Sequence, residues 1–375
     1  MKRELAETRG TIKAEKRGAE RKPEKRILEC LSKVAPGTDL RLGIEHIIKA
    51  KTGGLLVIGN SDEVLAVTDG GFLIDCKFSP FKLYELAKMD GAIILNEDAS
   101  RILYANTQLI PDPSLSTLET GTRHRAAERT ARQTGALVIS ISQKRDVVSL
   151  YFDGLKYVLE DIRVVLAKCN QALQTLERYK NRLDQVSANL TALEFEDLVT
   201  LFDVTTVLQR SEMVLRISTE LERYICELGT EGRLIEMQLN ELMGTVVDDH
   251  ANLIRDYAVS DSPKRIKEIR DTLEQRRPKE LLSLSDIADI LGYPTDVNLL
   301  EYSVSSRGYR ILSKVPHLPV SAIENMVKHF QSFQKIFNAD VEELVRVEGC
   351  GPGRAQSIKD SLRRLNELNM LDKYI

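Results

Sequence analysis

Cysteine is scarce and unpaired. Its five residues (Cys30, Cys76, Cys169, Cys226 and Cys350) are scattered, with no Cys-x-x-Cys spacing and no histidine at zinc-ligand distance. That argues against a disulfide framework and a structural zinc, and it fits a reduced cytosol. Long apolar runs are lacking too. Nowhere do about 18 apolar residues follow one another, and the N-terminus is charged, so neither secretion nor membrane insertion is expected. Charge of one sign is missing: 53 Lys and Arg face 56 Asp and Glu, so the balance does not announce a nucleic-acid binder. There is no Gly-x-x-x-x-Gly-Lys-Ser/Thr loop and no protein-kinase motif set, which sets aside the common ATPase and kinase scaffolds.

What is present is an ordinary globular composition over 375 residues, 42% hydrophobic and 29% charged, long enough for two or three domains. The first 26 residues mix Lys, Arg and Glu with almost no large apolar side chains. They read as a solvated tail or loose helix, with a basic arm on nucleic acid as the alternative. From Arg26 to about Tyr151, short apolar runs alternate with helical stretches: GGLLVIG, VLAVTDGGFLI, GAIIL, ALVISIS and VVSLYF. This predicts a mixed α/β domain, a mixed sheet flanked by helices. In SPFKLYELAKMDGAIIL, Ser79 is placed to cap a helix, Pro80 suits its first position, and Asp90-Gly91 breaks it before a strand.

Strand signals vanish beyond Leu155. Leu159, Ile162, Leu166, Cys169, Leu173 and Leu176 follow spacings of three and four, continuing with one slip to Leu193. This predicts a long amphipathic helix, with further helices to about Tyr293. An intrachain bundle acting as a spacer is favoured over a coiled-coil seam. The expected domains are 1–153, a helical spine over 154–304, and an all-α tail over 305–375.

The tail holds a faint 32-residue repeat, LSKVPHLPVSAI from Leu312 answering LVRVEGCGPGRA from Leu344, each unit reading helix, tight turn, helix. Gly349, Gly351 and Gly353 let backbone N–H groups approach an anion at the start of a helix that carries Arg354 and Lys359. Over roughly 305–375 the segment resembles the tandem helix-hairpin-helix domains of repair and recombination proteins, which grip DNA phosphates without reading sequence. Cys350 replaces the usual aliphatic residue, and Pro316 and Pro319 replace glycines in the first unit. The second hairpin is therefore expected to be the better phosphate binder. The bland alternative is that both hairpins only pack against protein.

The stretch ETGTRHRAAERTARQTGALVISIS, residues 119–142, carries the chemistry. Thr122 is a plausible N-cap, the alanines favour helix, and Gly135 is placed to end it, so Arg123, His124 and Arg125 fall in the first turn. Residues two apart on a helix diverge by about 200°, so the two arginines share a ligand only off the helix end. Free N–H groups with two guanidinium forks suit a polyphosphate, and His124 between them suits a phosphate or a metal. Asp90, near the unfavourable end of a helix dipole, calls for a compensating cation or plain solvent.

MDGAIILNED at 89–98 and GTRHRAAERTARQTGALVISIS at 121–142 resemble the Asp-Gly-Ala and Arg-His-Arg motifs of the diadenylate cyclase family. GIEHIIKAKTGGLLVIG at 43–59 and LIPDPSLSTLETGTRHR at 109–125 extend the match. The order of a cyclase domain, helical middle and helix-hairpin-helix tail resembles DNA-binding members of that family over essentially the whole chain. The apolar spans that begin its membrane-anchored members are not found. The resemblance implies condensation of two ATP into cyclic di-AMP and two pyrophosphates with Mg²⁺ or Mn²⁺. It also implies a homo-oligomer, an octamer of face-to-face tetramers, inhibited by branched or recombination-type DNA. Carried over by position, Asp90 would bind the metal and help activate the 3′-hydroxyl, and Gly91 would let the nucleotide approach. Thr122, Arg123, His124 and Arg125 would cradle phosphates, with His124 also a metal ligand. Ser142 and Arg145 would reach the β and γ phosphates, and Leu109 would pack on adenine or stand as a core leucine. The rival readings are a non-enzymatic DNA-binding scaffold, which would tolerate loss of Asp90, and a nucleotidyltransferase on DNA ends, which would normally show paired carboxylates.

Overall fold

The structure, a computed structural model, describes residues 25–277 and 279–372. The basic arm expected at the N-terminus falls outside these residues up to position 24. The described residues form two compact units, one of those up to 170 with 222–236 and one of 171–221 with those from 237 on, so the helical stretch expected over 154–304 contributes to both.

The first unit is built on an eight-stranded sheet. Helix α1 (25–34) leads to α2 (Asp39–Lys49), β1 (Gly54–Ile58), α3 (Asp62–Ala66), β2 (Thr68–Asp69), β3 (Phe72–Lys77), α4 (Pro80–Leu86), β4 (Ala92–Leu95) and β5 (Arg101–Leu109). Then come α5 (Thr122–Thr134), β6 (Leu137–Ile141), β7 (Val148–Phe152) and β8 (Leu155–Val158). The strand order is β2-β5-β4-β1-β6-β7-β8, with β3 also pairing β5. β1 and β4 are parallel and the other pairs antiparallel.

The apolar runs are continuous because both faces are covered. Leu56 and Ile58 of β1, Ile93 and Leu95 of β4, and Ile139 and Ile141 of β6 pack against α1, α2 and α4 through Leu31, Ile44 and Leu83. Their alternate neighbours Leu55, Val57, Ile94 and Val138 face α3 and α5 through Val64, Ala127 and Ala131. Each of the buried Val, Leu and Ile side chains contributes roughly 1.5–3 kcal/mol of burial energy.

Three local expectations are corrected. VLAVTDGGFLI is not one strand: Asp62–Ala66 turns helical and β2 and β3 form around Gly70-Gly71. Strand β8 starts at Leu155 and runs on where the sequence carries no strand signal, pairing with β7 from Phe152↔Leu155 to Ser149↔Val158. Ser79 occupies the cap position of α4, but its hydroxyl makes no capping bond, and Pro80 sets the first turn.

The predicted long helix is α6 (Ile162–Glu196), followed by α7 (Leu201–Leu228), α8 (Arg233–Met243), α9 (Val246–Tyr257), α10 (Pro263–Gln275) and α11 (Leu284–Leu291). The tail contains α12 (Tyr309–Leu312), α13 (Val320–Phe330), α14 (Phe333–Asn338), α15 (Val341–Val345) and α16 (Pro352–Asp372). The 32-residue repeat holds bond for bond. Val315 N and Leu318 N donate to Leu312 O and Val315 O, as Val347 N and Cys350 N donate to Leu344 O and Val347 O. His317, at φ 58°, takes the left-handed place that Gly349 takes at φ 85°. Leu318 is partly buried against the same core that encloses Cys350.

A buried polar network anchors the first hairpin. The Asp256 carboxylate on α9 accepts from Gly308 N and Tyr309 N at 2.7 Å and Arg310 N at 2.9 Å, standing in for the cap that α12 lacks. Arg310 pairs with Glu194 and donates to Thr191 Oγ1 at 2.9 Å, while Tyr257 donates to Glu194 at 2.7 Å. Burial pushes the Asp256 carboxyl up to about 7, with Glu194 adding to the shift.

Elsewhere in this unit His250 is 3% exposed, with Nδ1 2.8 Å from Ser211 Oγ, and burial beside Arg270 pushes its imidazole down to about 4. The unfolded chain takes up this proton below about 6.5, whereas the folded one waits until about 4, so acid favours unfolding in that window. Stability linked to His250 is full above about pH 6.5 and falls by roughly 3 kcal/mol toward pH 4. Asp256 bends the same window the opposite way, so the difference between wild type and His250→Gln isolates the effect. Denaturant unfolding from pH 7.5 to 4 should show the variant losing about 3 kcal/mol less than wild type, and parallel curves would contradict this.

Candidate nucleotide site

Strand register gathers the site. Because Leu56 pairs with Ile93, and Gly54 with Ile141, the starts of β1 and β4 lie at the same sheet end as the finish of β6. β5 runs antiparallel to β4 and brings Leu109 to that end, and the β6–β7 turn brings Ser142 and Arg145. Asp90 therefore stands two strand spacings from Ile141, on the order of 10 Å. It is exposed, four residues past α4, and among the described residues no hydrogen bond or ion pair holds it.

Helix α5 points its N-terminus at this end. Its cap is Gly121 and not Thr122, because Arg125 N bonds Gly121 O at 2.9 Å and Gly121 is the extended residue at φ −85°, ψ 139°. Glycine has no side chain to cap with, so the first-turn N–H groups stay open to an anion. Gly135 ends the helix as expected, left-handed at φ 68°. The segment before α5 is strapped along it: Arg129 donates to Leu115 O at 2.8 Å, Arg132 to Ser116 O at 2.7 Å, and Asp112 N to Gln133 at 2.8 Å.

Three side chains of the first turn go separate ways. Arg125 is exposed. Arg123 is half-buried and lies across the start of β1, its Nη1 3.5 Å from Ile141 O. A Cβ at Gly53 would stand 2.5 Å from that nitrogen, so Gly53 makes room for the guanidinium. His124 turns inward: its Nδ1 lies 2.9 Å from Tyr151 Oη, and Tyr151 donates onward to Glu119 Oε1 at 3.1 Å. Lys156 pairs with Glu119 at 2.5 Å.

Burial lowers the His124 pKa, aided by Lys156, Arg123 and Arg145 against Glu119. Burial and Glu119 raise that of Tyr151. Burial alone would raise Glu119, but bonds from Lys156 and Tyr151 outweigh it and lower its pKa. The trio is thus a neutral imidazole, a protonated phenol and a carboxylate. Sequence reading missed Glu119, Tyr151, Lys156 and Gly53. Glu119 and Gly53 lie within the quoted motifs, whereas Tyr151 meets His124 from 27 residues away.

The other expected residues sort as follows. Ser142 Oγ accepts from Arg145 N at 3.3 Å, shaping the turn, and the Arg145 side chain is exposed. Leu109 packs, partly buried, against the layer that contains Leu55, Val57 and Tyr151, a core contact. The described residues hold no group of three His, Cys, Asp or Glu that could grip a metal alone, so Asp90 and His124 do not form a ready-made cage. In the tail, Gly351 and Gly353 face open space, and Arg354 donates to Gly349 O beside the turn. Lys359 is partly buried and donates to Phe337 O at 2.8 Å, closing the end of α14.

A family model described as DisA bacterial checkpoint controller nucleotide-binding matches residues 41–155, and one described as its linker region matches 159–300. The DNA integrity scanning protein DisA of Clostridium tetani is 54% identical over 349 residues, covering 93% of this chain and 96% of that one. The proteins of that name from Clostridium botulinum strain Langeland and Clostridium kluyveri are 52% and 53% identical, each covering 93% of this chain and 98% of theirs. Fold, site and matches together define an α/β nucleotide-binding domain joined to a helical linker. The chain belongs to the family of the DNA integrity scanning protein DisA, and with it to the diadenylate cyclases. No helix among the described residues is long and apolar enough to cross a membrane.

Gly91 reads differently in three dimensions. At φ 101° it is left-handed, and a Cβ there would meet Asn106 C at 2.8 Å and Thr107 N and O at 3.0 Å, all backbone of β5. Its first duty is the β4–β5 junction, whatever the nucleotide requires. Gly91→Ala should therefore cost about 2 kcal/mol or more in the absence of nucleotide, measured by denaturant unfolding. A variant as stable as wild type would return Gly91 to a role in nucleotide approach alone.

Proposed function

We propose that two copies of the chain condense two ATP into cyclic di-AMP and two pyrophosphates at a shared site, and that DNA bound at the tail restrains the synthesis. The observation that carries the first part is the uncapped N-terminus of α5, with Arg123, Ser142 and Arg145 at the sheet end that also bears Asp90. Open N–H groups and guanidinium groups suit a polyphosphate.

Each ATP acts once as nucleophile through its 3′-hydroxyl and once as electrophile at its α-phosphorus. The two nucleotides must then face each other across a two-fold axis, so one copy supplies half of the reacting pair and an octamer of face-to-face tetramers meets the requirement. Much of the rate comes from holding the hydroxyl about 3 Å from phosphorus and in line with the leaving pyrophosphate. Arg123, Arg125 and the first-turn N–H groups, with Thr122, hold the phosphates. Ser142 and Arg145 take the leaving end, and Leu109 borders the adenine. A lone exposed carboxylate at Asp90 fits Mg²⁺ or Mn²⁺ arriving on the nucleotide, since such ions are commonly held by one or two carboxylates plus substrate phosphates, and the ion would neutralise phosphate charge there. Asp90 also lies where it can steer the 3′-hydroxyl.

The tail supports phosphate binding at the second helix-hairpin-helix turn, where Gly351 and Gly353 leave the backbone accessible and Arg354 stands beside Gly349. Branched or recombination-type DNA is the proposed ligand, and inhibition the proposed effect. Lys359, spent on Phe337 O, belongs to the hairpin's own cohesion. Arg354→Ala should weaken DNA binding several-fold and reduce its salt slope, whereas Lys359→Ala should chiefly lower stability. Binding at several salt concentrations, run beside thermal melts, decides this, and equal DNA loss in both variants would refute the division.

The activity test is incubation with ATP and Mn²⁺ or Mg²⁺, with products separated by chromatography and identified by mass. Asp90→Asn should keep wild-type stability and assembly while cyclic di-AMP falls at least about a hundredfold. Appreciable synthesis by that variant would remove Asp90 from the mechanism. Unchanged ATP with the folded, assembled wild type would favour a DNA-binding scaffold.

A further inference from the structure

The proton count around His124 fixes more than its position. Glu119 is a carboxylate, able only to accept, and it lies 3.1 Å from the Tyr151 oxygen. The single phenolic proton of Tyr151 is therefore directed to Glu119, which Lys156 holds at 2.5 Å. What remains on the Tyr151 oxygen toward His124, 2.9 Å away, is a lone pair. The bond forms only if His124 carries its proton on Nδ1, and a neutral imidazole has one ring proton. The Nε2 atom is then bare. Tyr151 is 1% exposed and meets the imidazole edge-on at 61°; Ser149 also stands within hydrogen-bond reach of its hydroxyl, but the Glu119 carboxylate is the stronger acceptor for the phenolic proton. The charged groups acting on the ring are Glu119, which favours its charged form, and Lys156, Arg123 and Arg145, which oppose it. Glu128 faces Tyr151.

We infer that Glu119 and Tyr151 are positioning residues that lock the proton of His124 on Nδ1, so that Nε2 meets the nucleotide as a hydrogen-bond acceptor. This rests on the nucleotide reading above and revises it at one atom. Ionised phosphate oxygens offer only lone pairs, so a bare Nε2 repels them, and phosphate cradling falls to Arg123, Arg125 and the helix N–H groups. On ATP the donors are the two ribose hydroxyls and the adenine amine, and Nε2 takes one of these. The lock also explains why a tyrosine hydroxyl sits in an otherwise apolar layer with Val57, Ala127 and Val138.

The test combines a spectroscopic and a binding measurement on the full chain. The protein has five histidines, so ¹⁵N-histidine labelling gives a readable magic-angle-spinning spectrum, with His124→Gln assigning the signal. Expected in wild type is a protonated Nδ1 and an unprotonated Nε2, with Tyr151→Phe or Glu119→Gln giving a mixture of tautomers. Two variants are used because Tyr151 lies in the core and Glu119 at its edge. Calorimetric titration then compares ATP with 2′-deoxyATP, 3′-deoxyATP and inosine triphosphate. One analogue should bind wild type about tenfold more weakly, identifying the donor, and that discrimination should shrink to about twofold in the variants. A proton on Nε2 in wild type, a tautomer unchanged in both variants, or equal binding of all four nucleotides would overturn the inference. So would Mg²⁺ alone shifting the Nε2 signal, which would give the lone pair to the metal. Absence of any ATP binding would sink the nucleotide reading and the acceptor role with it, while the spectra still judge the lock.

Discussion

Leu56 of β1 sits between Ile93 of β4 and Ile139 of β6, and the rest of the first unit depends on that register. A slip of one residue would exchange the two buried faces of every strand involved, setting Leu55 and Val57 against α2 and α4 in place of Leu56 and Ile58. The same register decides which loops share a sheet end. Continued past the strand ends, it puts Asp90, Gly53 and Ser142 on one row although they are far apart in sequence. Hydrophobic burial thus decides which loops meet at the site end.

On that frame the chemistry depends on what is left open. α5 begins at a glycine, so no hydroxyl competes for its first N–H groups. The segment that could drift over them is tied down by Arg129, Arg132 and Gln133. The same straps deliver Glu119 to Tyr151, so one loop both keeps the helix end clear and sets the ring beside it.

The strands buried on both faces were legible because burial writes itself as uninterrupted Val, Ile and Leu. So was α5, whose alanines and closing Gly135 obey local rules. β5 was not: Tyr104, Asn106, Thr107 and Gln108 interrupt its apolar pattern, and Asn106 turns left-handed at φ 55° where the register with β4 shifts. β8 has a single neighbour and exposed residues, so no core demanded an apolar run from it. The Arg-His-Arg turn was visible as a motif, but the inward course of His124 depends on a tyrosine two strands later, which no local pattern announces. Lys359 looked like a surface cation because nothing in the sequence shows that Phe337 O needs a donor. The 32-residue repeat was visible only as an echo of spacing. Its backbone identity survived because His317 could take the left-handed turn in place of a glycine.

Helix α12 is only four residues long and starts on a carboxylate borrowed from α9, while Arg310 at its second position is neutralised from α6. The hairpin repeat is therefore not a cassette. Cut free at position 305, it would carry three N–H groups that had lost their acceptor and a guanidinium that had lost its counter-charge, all in a place built to be dry. Any lineage that shortened or exchanged this tail would have to rebuild that corner first. The buried acid of α9 thus makes the tail hard to inherit separately from the helices that hold it.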